Sequence, residues 1–127
     1  MPVTVMIVDD SKLARIVAGK ALAELQPDWV RIEAGSAAQA LDIVAGQTVD
    51  VVLIDYNMVE MDGLQLAGRL RELFPVMPMA IITANIQDEI IAGARAINTT
   101  FVPKPVNADG LRGFVSGAAL RLRAAKA

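Results

Sequence analysis

The sequence predicts an α/β fold: five parallel strands in a doubly wound sheet, covered on both faces by helices in three layers. Three observations carry this. Short apolar runs alternate with helix-like segments along the whole chain. The runs are continuous rather than alternating, as strands buried on both faces must be. And 127 residues, 54% of them apolar, suffice for one core and leave no room for a second. A single domain over residues 1–127 is expected, with right-handed crossovers between its strands.

Val3–Val8 is an apolar run that stops at Asp9 and Asp10. Ser11–Leu25 reads as a helix with Leu13, Val17, Leu22 and Leu25 roughly on one face and Pro27 beyond its end. Val30–Glu33 is a weaker strand. Ser36 caps a helix running through Ala45, which Gly46 stops. The run from Asp50 to Ile54 is a strand ending at Asp55, and 62–73 is helical, with Pro75 and Pro78 marking the following loop. Met79–Ile82 is a strand, Ile86–Ala96 a helix and Thr99–Val102 the last strand. From Asn107 towards Arg123 a helix carries Leu111, Phe114, Val115, Ala118 and Leu122 as a core stripe.

Composition excludes much chemistry. With no Cys and no His, disulfides, thiol nucleophiles, zinc sites and the commonest general base are absent. A net charge of −2 supplies no field for nucleic acid or membrane surfaces. No apolar run approaches the roughly 18 residues that cross a bilayer, and the N-terminus lacks a basic signal region. A cytoplasmic protein is expected, with no direct nucleic-acid binding and no membrane insertion. Chemistry is left to carboxylates, hydroxyls, amides and Lys.

Those groups fall in telling places. Asp9 and Asp10 follow the first strand, Asp55 the third, Thr83 the fourth and Lys104 the fifth. Parallel strands of an open sheet end on one edge, and ligands bind outside it. Each residue has an ordinary reading: Asp10 or Ser11 as a helix cap, Asp55 as a turn residue, Thr83 as a cap, Lys104 as a solvated cation. Unrelated caps and turns have no reason to place an ionisable or hydroxyl group behind each of four apolar strands. Two carboxylates about 4 Å apart repel by roughly 4 kcal/mol at an effective dielectric near 20, which a hard divalent cation relieves. Oxygen-only ligands suit Mg²⁺, and a carboxylate can attack phosphorus to give an aspartyl phosphate. This is the equipment of phosphoryl transfer, with Lys104 and Thr83 placed to meet phosphoryl oxygens.

Taken with their order and spacing, the segments VMIVDDSKLAR, VDVVLIDYNMVEMDGLQL, MAIITAN and FVPKPV resemble the receiver domain of bacterial two-component response regulators. The likeness covers nearly the whole chain and is nearest in size to stand-alone regulators of the chemotaxis type. It implies the flavodoxin-like strand order 2-1-3-4-5. It implies Asp55 as phosphoacceptor and Asp10, Asp55 and the Asn57 carbonyl as Mg²⁺ ligands, with Asp9 reaching the metal through water. It further implies Thr83 as switch hydroxyl with the small Ala84 beside it, Lys104 as phosphate-binding Lys before a cis Pro105, and Phe101 as aromatic switch. Asn57 and Asn85 match positions that tune phosphoryl lifetime; their ordinary reading is exposed loop amides.

The implied donor is a phosphohistidine on a sensor histidine kinase or phosphotransfer protein. The implied output is an unknown partner recognised by the fourth helix, last strand and last helix. Homodimerisation through the small residues of the last helix is a further suggestion. The protein is expected to catalyse only its own phosphorylation and dephosphorylation.

Five positions depart from the family: Val59 replaces the Pro after Met58, Ile97-Asn98 replaces Gly-Ala, Pro103 precedes Lys104, and Phe101 lacks the Tyr hydroxyl. Three other readings compete. One is a phosphorylation-independent interaction module, which the complete acidic set opposes. A second is an aspartyl-nucleophile phosphatase, which wants a carboxylate where Asn57 stands. The third is a receiver fragment of a larger transcription factor or hybrid kinase, with Ala124-Ala125-Lys126-Ala127 beginning a linker.

Overall fold

The computed structural model describes residues 2–126; Met1 and Ala127, the latter the last residue of the suggested linker start, lie outside them. The elements alternate without exception: β1 (Thr4–Val8), α1 (Lys12–Leu25), β2 (Val30–Ala34), α2 (Ala37–Gly46), β3 (Val51–Asp55), α3 (Gly63–Leu73), β4 (Met79–Thr83), α4 (Asp88–Ala96), β5 (Thr100–Pro103) and α5 (Ala108–Lys126). The five strands form one parallel sheet in the order β2-β1-β3-β4-β5, as expected.

Alternate residues of each central strand feed two cores. Val5, Ile7, Val51, Leu53, Ala80, Ile82 and Val102 point to the face covered by α1 and α5, where they meet Leu22, Leu111, Phe114, Val115 and Ala118. Met6, Val8, Val52, Ile54, Met79 and Ile81 point to the other face, against Ala40, Leu66, Leu70 and Ala94 of α2, α3 and α4. Burial on both sides removes any reason for polar residues within the strands, so polar groups are pushed to their ends. No helix among the described residues is long and apolar enough to cross a membrane.

Local rules set the boundaries. Ser11 caps α1 and Ser36 caps α2, each hydroxyl accepting from the backbone N–H three residues on. Asp62 and Gln65 form a reciprocal capping box at α3. The expected α5 stripe is buried, with Leu122 partly so.

The α1 face differs from expectation. Leu13 and Val17 are exposed, and the buried residues are Ala18, Ala21 and Leu22. Alanines let the helix sit close to sheet and α5, turning the larger Leu13 and Val17 outward. The start of α4 also moves, from Ile86 to Asp88, with Gln87 rather than Thr83 at the cap position and no side-chain cap bond. At the Ile97-Asn98 corner, Asn98 adopts a left-handed φ of 53°, a conformation Asn tolerates better than most side chains.

Candidate functional site

The carboxyl ends of β1, β3, β4 and β5 converge on one rim. Asp9 extends β1, its N–H donating to the Ala34 carbonyl at 3.1 Å. Its buried carboxylate accepts from the Ser11 N–H at 2.9 Å, so the turn into α1 aims the side chain. Asp10 is exposed beside it. Asp55 is the last residue of β3 and 4% exposed. Carboxylate oxygens of Asp9, Asp10 and Asp55 all lie within 4.8 Å of one another.

Lys104 brings an ammonium to the same rim. Its N–H donates to the Thr83 carbonyl at 3.0 Å, carrying the β4–β5 ladder past Pro103. Its ammonium lies 2.9 Å from Asp55 Oδ1, and the Lys104–Pro105 peptide bond is cis. Thr83 is fully buried at the end of β4 and its hydroxyl oxygen accepts from the Asn85 N–H at 3.0 Å. Ala84, Asn85 and Asn57 are exposed on loops at the same rim, and Phe101 is half-buried on β5. Asp9, Asp10 and Asp55 are thus gathered within 4.8 Å of one another, with Lys104 on Asp55; Thr83 is tied to Lys104 through the backbone.

Electrostatics follow the burial. Desolvation raises the Asp55 pKa above its ordinary 3.8, with Asp9 and Asp10 adding to the rise and Lys104 opposing it. Asp9 is raised by burial too, against the Ser11 N–H and Lys104. For Lys104, burial pulls the pKa down, but the pull of Asp55, Asp9 and Asp10 wins and the net shift is upward. One ammonium therefore faces three carboxylates.

The donor set suits a hard divalent cation. It is all oxygen and carries excess negative charge, the Lys104 ammonium at 2.9 Å from buried Asp55 Oδ1 meeting three carboxylates. A cavity of about 250 Å³ opens beside it between α1 and the sheet, lined by Asp9, Asp55, Lys104, Leu13, Val17 and Val106. A larger groove of about 810 Å³ lies at the opposite edge of the sheet, walled by Leu73, Phe74, Val76 and Leu122 rather than by the acids.

Two contributors were missed in the sequence. Gly63 brings α3 against the site: a Cβ there would stand 2.6 Å from the Asp55 carbonyl oxygen and 2.8 Å from Tyr56 Cα, while its N–H donates to the Tyr56 carbonyl at 2.9 Å. In the sequence Gly63 reads only as part of the helical stretch 62–73. Arg15 holds the Asp9 carbonyl at 2.6 Å, a contact with no local sequence signal.

Residues 5–116 match the family model described as the response regulator receiver domain. Among curated proteins the chain is 33% identical over 106 residues to the DNA-binding transcriptional regulator NtrC of Escherichia coli K12, covering 83% of this chain and 22% of that protein. It is 32% identical over 124 residues to the probable transcriptional regulatory protein TcrX of Mycobacterium tuberculosis, covering 97% and 49%. The chain thus spans half or less of these relatives' length. Similar solved structures include chemotaxis protein CheY4 of Vibrio cholerae, with TM-score 0.83, 22% identity, and coverage of 93% of this chain and 99% of that one. A CheY-like receiver domain protein of Methanospirillum hungatei has TM-score 0.86, 19% identity, and coverage of 97% and 98%.

Proposed function

The chain belongs to the response regulator receiver domains of two-component systems, and from that premise we propose that it is a phosphorylation-dependent switch with Asp55 as phosphoacceptor. One observation carries the reading: three carboxylates within 4.8 Å and an ammonium 2.9 Å from Asp55, at the carboxyl edge of the sheet. An ordinary cap or turn has no use for that concentration of charge.

In this reading Asp9, Asp10, Asp55 and the Asn57 carbonyl would hold Mg²⁺, Asp9 through water. The cation, when bound, supplies charge neutralisation for phosphoryl oxygens. An Asp55 carboxylate oxygen attacks phosphorus in a phosphohistidine of a sensor kinase or phosphotransfer protein. The O–P bond forms as the N–P bond breaks, and the electron pair leaves with the imidazole nitrogen. Lys104, already held at Asp55 Oδ1, neutralises a phosphoryl oxygen. The protein is not an enzyme acting on other substrates; it catalyses its own phosphorylation and dephosphorylation in the cytoplasm, with Asn57 and Asn85 tuning the lifetime.

The readout follows from added charge. A phosphoryl group brings about −1.5 to −2 charges into an acidic rim. Thr83 turns its hydroxyl towards it, Ala84 leaves room for the backbone, and Phe101 fills the space vacated. The surface of α4, β5 and α5 then changes its affinity for an output partner. The longer relatives, named as transcriptional regulators, favour a second reading in which the same switch serves as the receiver portion of a larger regulator.

The test is incubation with Mg²⁺ and a small acyl phosphate, followed by intact mass, for the wild type and Asp55→Asn. A phosphate-sized gain in the wild type alone supports the assignment. A gain in both, or in neither, overturns it.

A further inference from the structure

We propose that Arg15 is a positioning residue for the divalent-cation site, holding both Asp9 and Asp10 in place through the single peptide they share. The proposal rests on the acidic cluster being a cation site.

The geometry is specific. Arg15 Nη1 donates to the Asp9 carbonyl at 2.6 Å, and Arg15 Nε donates to Glu33 Oε1 at 2.7 Å. The Asp9 carbonyl belongs to the peptide plane joining Asp9 to Asp10. A planar peptide turns as a unit, so fixing this carbonyl fixes ψ of Asp9 and φ of Asp10 together. The two torsions aim the two carboxylates. On its other side Asp9 is held by its N–H on the Ala34 carbonyl, and its carboxylate by the Ser11 N–H. Arg15 supplies the remaining restraint.

Arg15 is itself restrained. Its side chain is only 16% exposed, and its guanidinium is aimed by Glu33 on β2, whose register partner is Ile7 of β1. A Cβ at Gly35 would lie 3.5 Å from Arg15 Nη1, so the adjoining backbone passes close to the guanidinium. The planar fork places one nitrogen on Glu33 and another on the Asp9 carbonyl, an arrangement that an ammonium cannot copy.

A cation beside a cation site is electrostatically unfavourable to the metal, which makes the sign of a mutation decisive. If Arg15 acts only as a charge, Arg15→Met should bind Mg²⁺ more tightly. If it positions the ligands, binding should weaken by about 10-fold or more, the range seen when partners that orient metal ligands are removed.

Isothermal titration of the chain with Mg²⁺ alone reads this directly. Arg15→Met is expected to bind about 10-fold more weakly than the wild type and Arg15→Lys to recover part of the loss. Glu33→Gln, which keeps every cation, is expected to bind a few-fold more weakly. Should Arg15→Met fail to fold, as judged by circular dichroism, Glu33→Gln and Arg15→Lys carry the test. Equal or tighter binding in the folded variants overturns the proposal. No Mg²⁺ uptake by the wild type overturns the cation-site reading itself, a distinct result.

Discussion

Replacing Asp9 by Asn tests the electrostatic reading through stability, with no partner or phosphate donor required. In the folded chain Asp9 and Asp55 are 7% and 4% exposed. Carboxylate oxygens of the two lie within 4.8 Å, where unit charges repel by about 3.5 kcal/mol at an effective dielectric near 20. The substitution removes the cost of burying the Asp9 charge and its repulsion by Asp55 and Asp10, and forfeits attraction to Lys104 and Arg15, while the amide oxygen still accepts from the Ser11 N–H. The net expectation is a gain of about 1–2 kcal/mol, the repulsion discounted for the lost attraction to the two cations. For a chain of 127 residues this raises the thermal midpoint by about 4–7 °C.

Magnesium should erase the advantage. At 100-fold excess over its Kd a ligand stabilises the wild type by about 2.7 kcal/mol, and the variant, lacking one acid, gains less. Thermal unfolding followed by circular dichroism, with chelator and with Mg²⁺, measures both arms. A variant less stable than the wild type in chelator, or one with the same Mg²⁺ shift, would refute the reasoning.

Three further outcomes follow from the same geometry. Because burial raises both Asp9 and Asp55, the folded metal-free chain holds their protons more tightly than the unfolded chain; the stability they contribute is full below the unfolded value of 3.8 and is lost as pH rises through the raised folded values, so urea midpoints in chelator should show a smaller pH-dependent loss in Asp9→Asn. Gly63→Ala, whose Cβ would press on backbone at 2.6 and 2.8 Å, should cost about 1–3 kcal/mol in urea unfolding and slow phosphoryl uptake, whereas Gly68→Ala, with nothing within 4 Å, should leave uptake untouched. Thr83→Ala should still accept phosphate at Asp55 yet lose the difference in partner affinity measured with and without a phosphate mimic; an unchanged difference rules out the hydroxyl as the link.

The central sheet was legible because β1, β3 and β4 bury both faces, which forces unbroken apolar runs and displaces polar residues to the strand ends. The acids and Lys104 were legible for the same reason: their position behind a strand is a one-dimensional signal of a three-dimensional rim. The edge strand β2 read weakly since most of it faces solvent, Val30 included. The buried face of α1 is not legible in its sequence because its close packing uses Ala18 and Ala21, whose hydropathy is dwarfed by that of the exposed Leu13 and Val17.

Contacts between distant segments had no signal at all. Arg71 at the end of α3 donates to the carbonyls of Phe74, Pro75, Met77, Ile97 and Asn98, tying the α3–β4 loop to the α4–β5 corner. A lone Arg in a helix announces none of this. Gly63 and Arg15 are similar: one acts by lacking a side chain, the other by reaching a backbone carbonyl six residues back.

The most direct measurement of the central claim is where, and under what metal requirement, phosphate attaches. The folded chain, treated with a small acyl phosphate across a Mg²⁺ titration and mapped by peptide mass, should carry one phosphoryl group on the peptide containing Asp55, its yield rising with Mg²⁺ and vanishing in chelator. Phosphate on another peptide, or uptake indifferent to Mg²⁺, would contradict the claim that these acids form a metal-dependent phosphoryl site.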